Sequence, residues 1–452
     1  MLLTKDKSFY KSLILLALPI ALQNVITFTV TLADNVMVGA LGDSAISGVY
    51  IGSQIATLLQ ILLVGIEGAI LVPSAQYFGK NDLGAIRRIT TVGLRTALTL
   101  ALTLSIACRL FPQAILSRLA DEASAVALGA DYLSITLFAF PFFALSQTLV
   151  TAMRSVERPR IGMLASLISL VFNISLNYIL IFGKLGFNAM GVKGAAIATL
   201  ISRIAECLFV LVYVLFLDKK LALRPKDLCL SDRALTKDFF RYGTPIITGQ
   251  AIWAINTLFL SAVMGKLPYD GVIAAVSVTG TLNSLAYIVT SSLASAVGII
   301  TGKTVGSGAL DKIREYAYTV QIIFIGLSLL TSGAIFLLRD FFISLYTLSP
   351  AAIAEARALI NVLSITSIGT GYQAACLFGL VKSGGDVAFV LKNDAFFVFL
   401  VVIPSALIAK GLGALPWVVF LCLKSDQILK CIVAAIKVNR FRWIKSLTRN
   451  TT

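Results

Sequence analysis

Long runs of apolar residues alternate with short polar segments along the whole chain. Each run has 20 or more residues, which is enough for one helix to cross about 30 Å of hydrocarbon. The pattern therefore predicts an all-α polytopic membrane protein with twelve transmembrane helices. The predicted spans are residues 13–40, 48–76, 89–111, 127–153, 161–183, 192–217, 240–265, 272–300, 317–338, 354–381, 388–410 and 414–436.

The second half of the chain repeats the first at a shift of about 226 residues. Six predicted spans in each half is an even number, so both halves enter the membrane in the same sense. This parallel repeat predicts two pseudo-symmetric six-helix lobes. The matched positions include Pro19 and Pro245, Gly39 and Gly265, Leu41 and Leu267, and Gln147 and Gln373.

The longest polar stretch of the chain separates the two predicted lobes. It begins at residue 218 and has the sequence DKKLALRPKDLCLSDRALTKDF. We therefore expect an amino-terminal six-helix lobe over residues 1–218, a cytosolic linker over 219–239, a carboxyl-terminal six-helix lobe over 240–436 and a cytosolic tail over 437–452.

The composition excludes a soluble protein. Of the residues, 58% are hydrophobic and only 13% are charged, which is about half the charged fraction of soluble domains. The formal net charge is +16, but the basic residues collect in the segments on the side of the amino terminus. By the positive-inside rule, this distribution predicts a multi-pass protein of the plasma membrane with both termini in the cytosol. The charge therefore does not indicate nucleic-acid binding.

The residues that most enzymes and metal sites need are missing from the sequence. The chain has no histidine, and its six cysteines show no CxxC spacing. Histidine-containing triads, the usual zinc sites and a disulfide framework are therefore excluded. We expect a monomeric protein that is not an enzyme, needs no cofactor and acts on small organic compounds.

One acidic residue, Asp34, lies within the first predicted span. A carboxylate near the middle of a spanning helix costs about 2.5–3.5 kcal/mol on insertion scales, so Asp34 must face a cavity or a partner. It can alternate between a protonated and a sodium-bound form as a site opens and closes. Alternatively, Asp34 is permanently protonated and hydrogen-bonds a neighbouring helix.

Two asparagines on the fifth predicted span extend this candidate site. Asn173 and Asn177 are four residues apart and therefore share one helix face. Their amides can offer oxygens to a small cation or hydrogen bonds to Asp34, and Thr199 on the sixth span can add a hydroxyl. The asparagines can instead join helices through hydrogen bonds, typically worth under about 2 kcal/mol. With Asp34 in the same half, we interpret these four residues as one cation site.

Other polar residues inside the spans allow either a substrate cavity or structural ion pairs. Glu67 either attracts cationic substrates or pairs with a basic group. Arg203 with Glu206, and Asp426 with Lys430, have the spacing of ion pairs on one helix face. The residues that we predict to line a substrate cavity are Glu67, Gln250, Trp253 and Gln373.

Four segments carry a family resemblance. They are ALPIALQN…ADNVMVGALGDSAIS, AQYFGKNDLGAIRR, FNISLNYILIFGKLGFNAMGVKGAAIAT and GLVKSGGDVAF. Together with the six-plus-six repeat, they resemble the multidrug and toxic compound extrusion (MATE) family of cation-coupled exporters over essentially the whole chain. The resemblance implies alternating access, in which a proton or sodium gradient drives export of cationic amphipathic compounds. It also implies that the amino-terminal cation site consists of Asp34, Asn173, Asn177 and Thr199.

The chain departs from the family pattern at two places. Some members have an aspartate where this chain has Asn177, so Asp34 is the main titratable group of the predicted site. Some members use acids on the seventh and tenth helices, where this chain has Gln250, Trp253 and Thr370. Because the repeat also matches Asp34 with an apolar residue, we expect the acidic chemistry, and therefore the coupling, in the amino-terminal lobe.

Two other functions are compatible with a membrane bundle. A flippase for a lipid-linked precursor would need several cations to hold a pyrophosphate, whereas Arg203 and Lys424 are the basic residues that we place deep in the spans. A non-transporting scaffold or receptor would not account for Asp34 together with two asparagines. We therefore predict an antiporter, with the flippase as the alternative.

Overall fold

The computed structural model describes residues 3–117, 123–229, 232–346 and 348–449, and these are helical over most of their length. Three π-helical segments each continue an α-helix that ends at the preceding residue, namely Tyr213–Leu217, Ala374–Lys382 and Val398–Val402. The helices in chain order are α1 (Lys7–Gly39), α2 (Asp43–Gly79), α3 (Leu83–Leu110), α4 (Pro112–Leu116), α5 (Ala123–Thr136), α6 (Ala139–Ser155), α7 (Arg160–Phe182), α8 (Gly191–Val212), α9 (Arg233–Met264), α10 (Val272–Gly306), α11 (Leu310–Ser344), α12 (Pro350–Gln373), α13 (Val387–Phe397), α14 (Ile403–Gly411), α15 (Pro416–Leu423) and α16 (Ser425–Asn439).

Most of these helices have the length and composition of membrane spans. Within the described ranges, 10 helices are long and apolar enough to cross a membrane, and α5 with α6 form a further span that is bent by 54°. In the last predicted span, α15 has 8 residues and α16 has 15, and the two helices meet at Lys424. The predicted all-α membrane bundle is therefore confirmed, with the fourth and twelfth predicted spans each built from two helices.

Polar residues fix the ends of several helices. The Asp82 side chain accepts a hydrogen bond from the backbone N of Ala85 at 2.9 Å and begins α3. The Ser349 hydroxyl accepts a hydrogen bond from the backbone N of Ala352 at 3.3 Å and begins α12. At the end of α7, Gly183 has a φ of 65°, the left-handed conformation that commonly stops a helix. Short polar sequences between the apolar runs thus set the helix boundaries.

The chain forms two compact units, which we describe separately. Unit 1 comprises Met1–Ala17, Ala75–Asn81 and Thr248–Thr452, and unit 2 comprises Leu18–Ser74 and Asp82–Ile247. The bounds differ from those of the expected lobes because three helices contribute residues to both units. In each of these helices the change of unit falls within two residues of a proline, which lacks the backbone N–H of a regular helix; the prolines are Pro19, Pro73 and Pro245.

The segment predicted as a linker over 219–239 ends earlier than expected, because α9 begins at Arg233. Asp232 caps this helix by accepting hydrogen bonds from the backbone N of Ala234 and Leu235 at 2.9 and 3.1 Å. The hydrogen bond from Leu235, together with one from Arg88, lowers the pKa of Asp232 below its ordinary value. An ionised carboxylate at this position stabilises the first turn of α9.

The segment predicted as a tail over 437–452 packs within unit 1. Helix α16 continues to Asn439, and Trp443 beyond it is fully buried, with its Nε1 donating to the Val438 carbonyl at 2.9 Å. The Gln76 amide donates to the Lys445 carbonyl at 3.2 Å. Residues 450–452 of the predicted tail lie outside the described residues.

Candidate cation site

Asp34 on α1 is joined to two asparagines on α7 within unit 2. The Asn177 Nδ2 donates to Asp34 Oδ1 at 2.5 Å and to Asn173 Oδ1 at 3.2 Å. Both asparagines are buried. The structure therefore brings together three of the four residues that the sequence placed in one site.

Close packing of α7 and α8 brings the fourth residue, Thr199, to the same region of unit 2. A Cβ atom at Gly194 on α8 would lie 2.7 Å from the backbone C and O of Leu180 on α7. Only glycine lets two helices approach so closely. This contact sets α8, which carries Thr199, against the helix that carries Asn173 and Asn177.

Tyr132 on α5 also belongs to the site, although the sequence did not indicate it. Its side chain is 7% exposed and packs in a cluster with Val38 and Ile181. Its hydroxyl hydrogen-bonds the Thr199 side chain and lies within electrostatic range of Asp34. The chain has 13 tyrosines, so composition and spacing gave no reason to single out this one.

The buried Thr199 hydroxyl has the Tyr132 hydroxyl as its hydrogen-bonding neighbour. Asn177 Oδ1 is also buried, and it has no hydrogen-bond partner in the part of the chain that the structure describes. Such atoms are rare in proteins, and an unsatisfied oxygen is one mark of an ion site. Together with the Asp34 carboxylate, these two oxygens are oxygen donors, the ligands that small hard cations prefer. The site can therefore take a proton on Asp34 or a small cation among these oxygens.

The predicted ion pair on α8 is confirmed. Arg203 Nη1 lies 2.7 Å from Glu206 Oε2. Glu206 also accepts hydrogen bonds from Gln147 Nε2 at 3.0 Å and from Ser146 Oγ at 3.4 Å, and it is only 1% exposed. Its carboxylate is therefore bound from both α8 and α6.

Glu67 on α2 belongs to a different cluster of unit 2. Its Oε2 lies 4.0 Å from Arg154 Nη1, and Arg154 Nη2 donates to Gln23 Oε1 at 2.8 Å. Of the two interpretations from the sequence, pairing with a basic group has a structural basis. The sequence did not identify the partner because Arg154 lies at the end of its span, where basic residues are common.

Unit 1 contains a cluster of charged residues on its last helices. Lys430 Nζ lies 3.0 Å from Asp426 Oδ2, which confirms the predicted pair, and 2.9 Å from Asp394 Oδ1. Lys430 and Asp426 are almost completely buried. Contrary to the expectation from the repeat, buried acids are not confined to the first half. The sequence predicted the pair of Asp426 and Lys430 but not the contact with Asp394, because Asp394 lies on α13, at no regular spacing from the residues of α16.

The residues predicted to line a substrate cavity lie in both units. Gln373 in unit 1 hydrogen-bonds the Gln427 side chain. Gln250 and Trp253 lie on the part of α9 that belongs to unit 1, and Trp253 is half exposed. Because Glu67 belongs to unit 2, the grouping of these residues into one cavity stays a prediction.

A repeated all-helical membrane bundle with a cluster of polar residues inside its spans is typical of a secondary transporter. The MatE family model matches residues 19–179 and 245–408, once in each half of the chain. This chain belongs to the MatE family, as the sequence resemblance predicted. It is therefore a membrane transporter rather than an enzyme.

Known proteins agree with this assignment. The chain is 28% identical over 348 residues to a probable multidrug resistance protein NorM from Listeria monocytogenes, covering 76% of this chain and 75% of that protein. Its fold matches an outward-facing MATE family transporter of the MOP superfamily, with a TM-score of 0.87, 21% identity and coverage of 99% and 100%. A MOP superfamily transporter from Pyrococcus furiosus gives a TM-score of 0.86 at 21% identity, with the same coverage.

Proposed function

We propose that this protein is an antiporter that exports organic cations across the plasma membrane in exchange for a proton or Na⁺. The observation that carries the proposal is the Asp34 carboxylate, which is hydrogen-bonded to Asn177, whose own amide oxygen is buried and has no partner within the described residues. The relatives named as probable multidrug resistance proteins support export of small organic compounds. The basic residues collect in the segments on the same side of the membrane as the amino terminus, which supports cytosolic termini. We also propose that the protein acts as a monomer.

In this proposal, the coupling cation and the substrate stabilise different conformations. A ligand shifts such an equilibrium only by the difference between its affinities for the two states. A cation that binds one state about 100-fold more tightly shifts the equilibrium by about 2.7 kcal/mol. Asp34 supplies the charge that changes, while Asn177 and Thr199 supply neutral oxygens. When Asp34 is neutralised, we therefore expect the substrate still to bind, but the ion gradient no longer to drive its transport.

The test uses the purified protein in liposomes with a fluorescent cationic dye. A pH gradient and a sodium gradient are imposed separately, and dye movement is followed. We expect one gradient to drive the dye and Asp34→Asn to reduce this transport by about ten-fold or more, since a lost coupling step of about 1.4 kcal/mol already gives that factor. Dye binding and membrane insertion of the variant should persist.

The matched control is Asp131→Asn, another acid of unit 2. Asp131 pairs with Lys193 at 3.3 Å, and about half of each side chain is exposed, so its loss should leave transport unchanged. Undiminished gradient-driven export by Asp34→Asn would contradict the proposed coupling site. If neither gradient moves dye through the unaltered protein, the export proposal itself fails.

The flippase alternative has less support than the antiporter. That function needs several cations that are available to a pyrophosphate. Of the two basic residues placed deep in the spans, Arg203 is bound to Glu206 at 2.7 Å. Lys424, whose Nζ lies 5.9 Å from the centre of the Phe420 ring, is a single cation and does not supply the several that a pyrophosphate needs.

A further inference from the structure

The ion pair on α8 shares a helix face with the candidate cation site. Thr199, Arg203 and Glu206 follow one another at spacings of four and three residues, which places them on one side of the helix. Arg203 lies one turn beyond Thr199 on this side of α8, within electrostatic range of Asp34. A permanent cation therefore lies near the carboxylate that is proposed to bind the coupling ion.

The two members of this pair are held unequally. Glu206 is 1% exposed and receives hydrogen bonds from Gln147 and Ser146 in addition to its bond with Arg203. The Arg203 side chain is 23% exposed, and its other contact is the Phe143 ring, 4.6 Å from the guanidinium carbon. Glu206 is thus the fixed partner, and the guanidinium is the group that can move.

The charge balance of the region depends on this arrangement. With all groups ionised, Asp34 and Glu206 contribute two negative charges and Arg203 one positive charge. Because Glu206 neutralises Arg203, the remaining negative charge lies on Asp34. The nearest other charges on α5 and α8, Asp131 and Lys193, neutralise each other at 3.3 Å. An arginine always carries its charge in proteins, so an Arg203 without Glu206 would be attracted to Asp34.

We propose that Glu206 is a positioning residue that keeps Arg203 away from Asp34, so that Asp34 is free to bind the coupling cation. Arg203 is then an internal competitor for the cation site, held inactive by Glu206. The inference rests on the proposed function, because it assumes that Asp34 binds the coupling ion. It adds a second residue pair that sets the affinity of the site without contacting the ion.

The prediction concerns Glu206→Gln, which keeps the size of the side chain and its hydrogen-bonding ability but removes the charge. Released Arg203 should then pair with Asp34. The guanidinium would then occupy the Asp34 carboxylate in place of the coupling cation, whether that cation is a proton or Na⁺. Removing the arginine as well, in Arg203→Gln/Glu206→Gln, should restore cation binding.

The measurement is the thermal stability of the purified protein in detergent, titrated with Na⁺ and, separately, with protons. A bound ion stabilises the folded state according to its concentration and affinity. We expect Glu206→Gln to weaken the apparent affinity for the coupling ion about ten-fold or more, and the double variant to return within about two-fold of the unaltered protein. A purely structural role for Glu206 would change the stability measured without the ion, but not the ion concentration that gives half of the stabilisation, whereas the positioning role changes that concentration.

Three results decide between the proposals. If Glu206→Gln binds the ion as the unaltered protein does, or if the double variant stays as weak as Glu206→Gln, the positioning role is contradicted. If Asp34→Asn still responds to both ions, the proposed coupling site is wrong, whatever Glu206 does. If Asp34→Asn loses the response while Glu206→Gln keeps it, the coupling site stands and only the positioning role fails.

Discussion

The contact of α8 with α7 gives the sharpest test of how the cation site is built. We consider the substitution Gly194→Ala, which adds one methyl group. Its carbon would lie 2.7 Å from the backbone C and O of Leu180 and 3.0 Å from the backbone N of Ile181. All three are backbone atoms, so no side-chain rotation relieves the contact. The two helices must therefore move apart, and Thr199 moves with α8.

The magnitude follows from two opposing effects. Overpacking of this kind costs about 1–3 kcal/mol, whereas alanine is favoured over glycine in a helix by up to about 1 kcal/mol. We expect a net loss of about 2 kcal/mol at the upper end of these ranges. The matched control is Gly326→Ala in the interior of α11, where the added carbon meets no atom within 4 Å. This control should gain up to about 1 kcal/mol, because only helix propensity acts there.

The assay compares thermal unfolding of both variants in detergent, without and with the coupling ion. Gly194→Ala should unfold at a lower temperature than the unaltered protein and show a smaller stabilisation by the ion. Gly326→Ala should be at least as stable as the unaltered protein and respond normally to the ion. If both variants have the same stability and the same response, close packing of α7 and α8 does not position the site.

Two further predictions concern the charged residues of unit 1. Lys430→Ala removes the salt-bridge partner that Asp394 and Asp426 share, so stability should fall by about 3–5 kcal/mol; unchanged thermal unfolding would contradict the pairing. Asp386 lies between the spans, where burial raises its pKa but hydrogen bonds from two lysines lower it more, so that the pKa falls below its ordinary value. Its ionised form therefore stabilises the fold at neutral pH, and this contribution disappears as the pH falls from about 4 through the lowered folded-state pKa. Thermal unfolding across this range should show a smaller acid dependence for Asp386→Asn than for the unaltered protein.

The sequence predicted the membrane bundle well because its main signals are local. A run of apolar residues defines a span by itself, and the spacings of Arg203 with Glu206 and of Asp426 with Lys430 define pairs on one helix face. Asp34 and the α7 asparagines were grouped because buried polar residues need partners. Contacts between residues far apart in the chain gave no such signal. Tyr132 and the bond of Asp394 to Lys430 therefore became visible only in the folded structure.

The repeat shows why Asp34 differs from the other buried acids. The matched glutamines Gln147 and Gln373 both bond to the last span of their own half, where the partners are Glu206 and Gln427. This glutamine contact is present in both halves, but only its partner in the first half, Glu206, carries a charge. Arg203 neutralises that charge. In the second half, the buried Asp394 and Asp426 share Lys430 as their salt-bridge partner. Asp34 instead has amides as its hydrogen-bonding neighbours and forms no salt bridge within the described residues, which is why we propose Asp34, and not the paired acids, as the residue that binds the coupling ion.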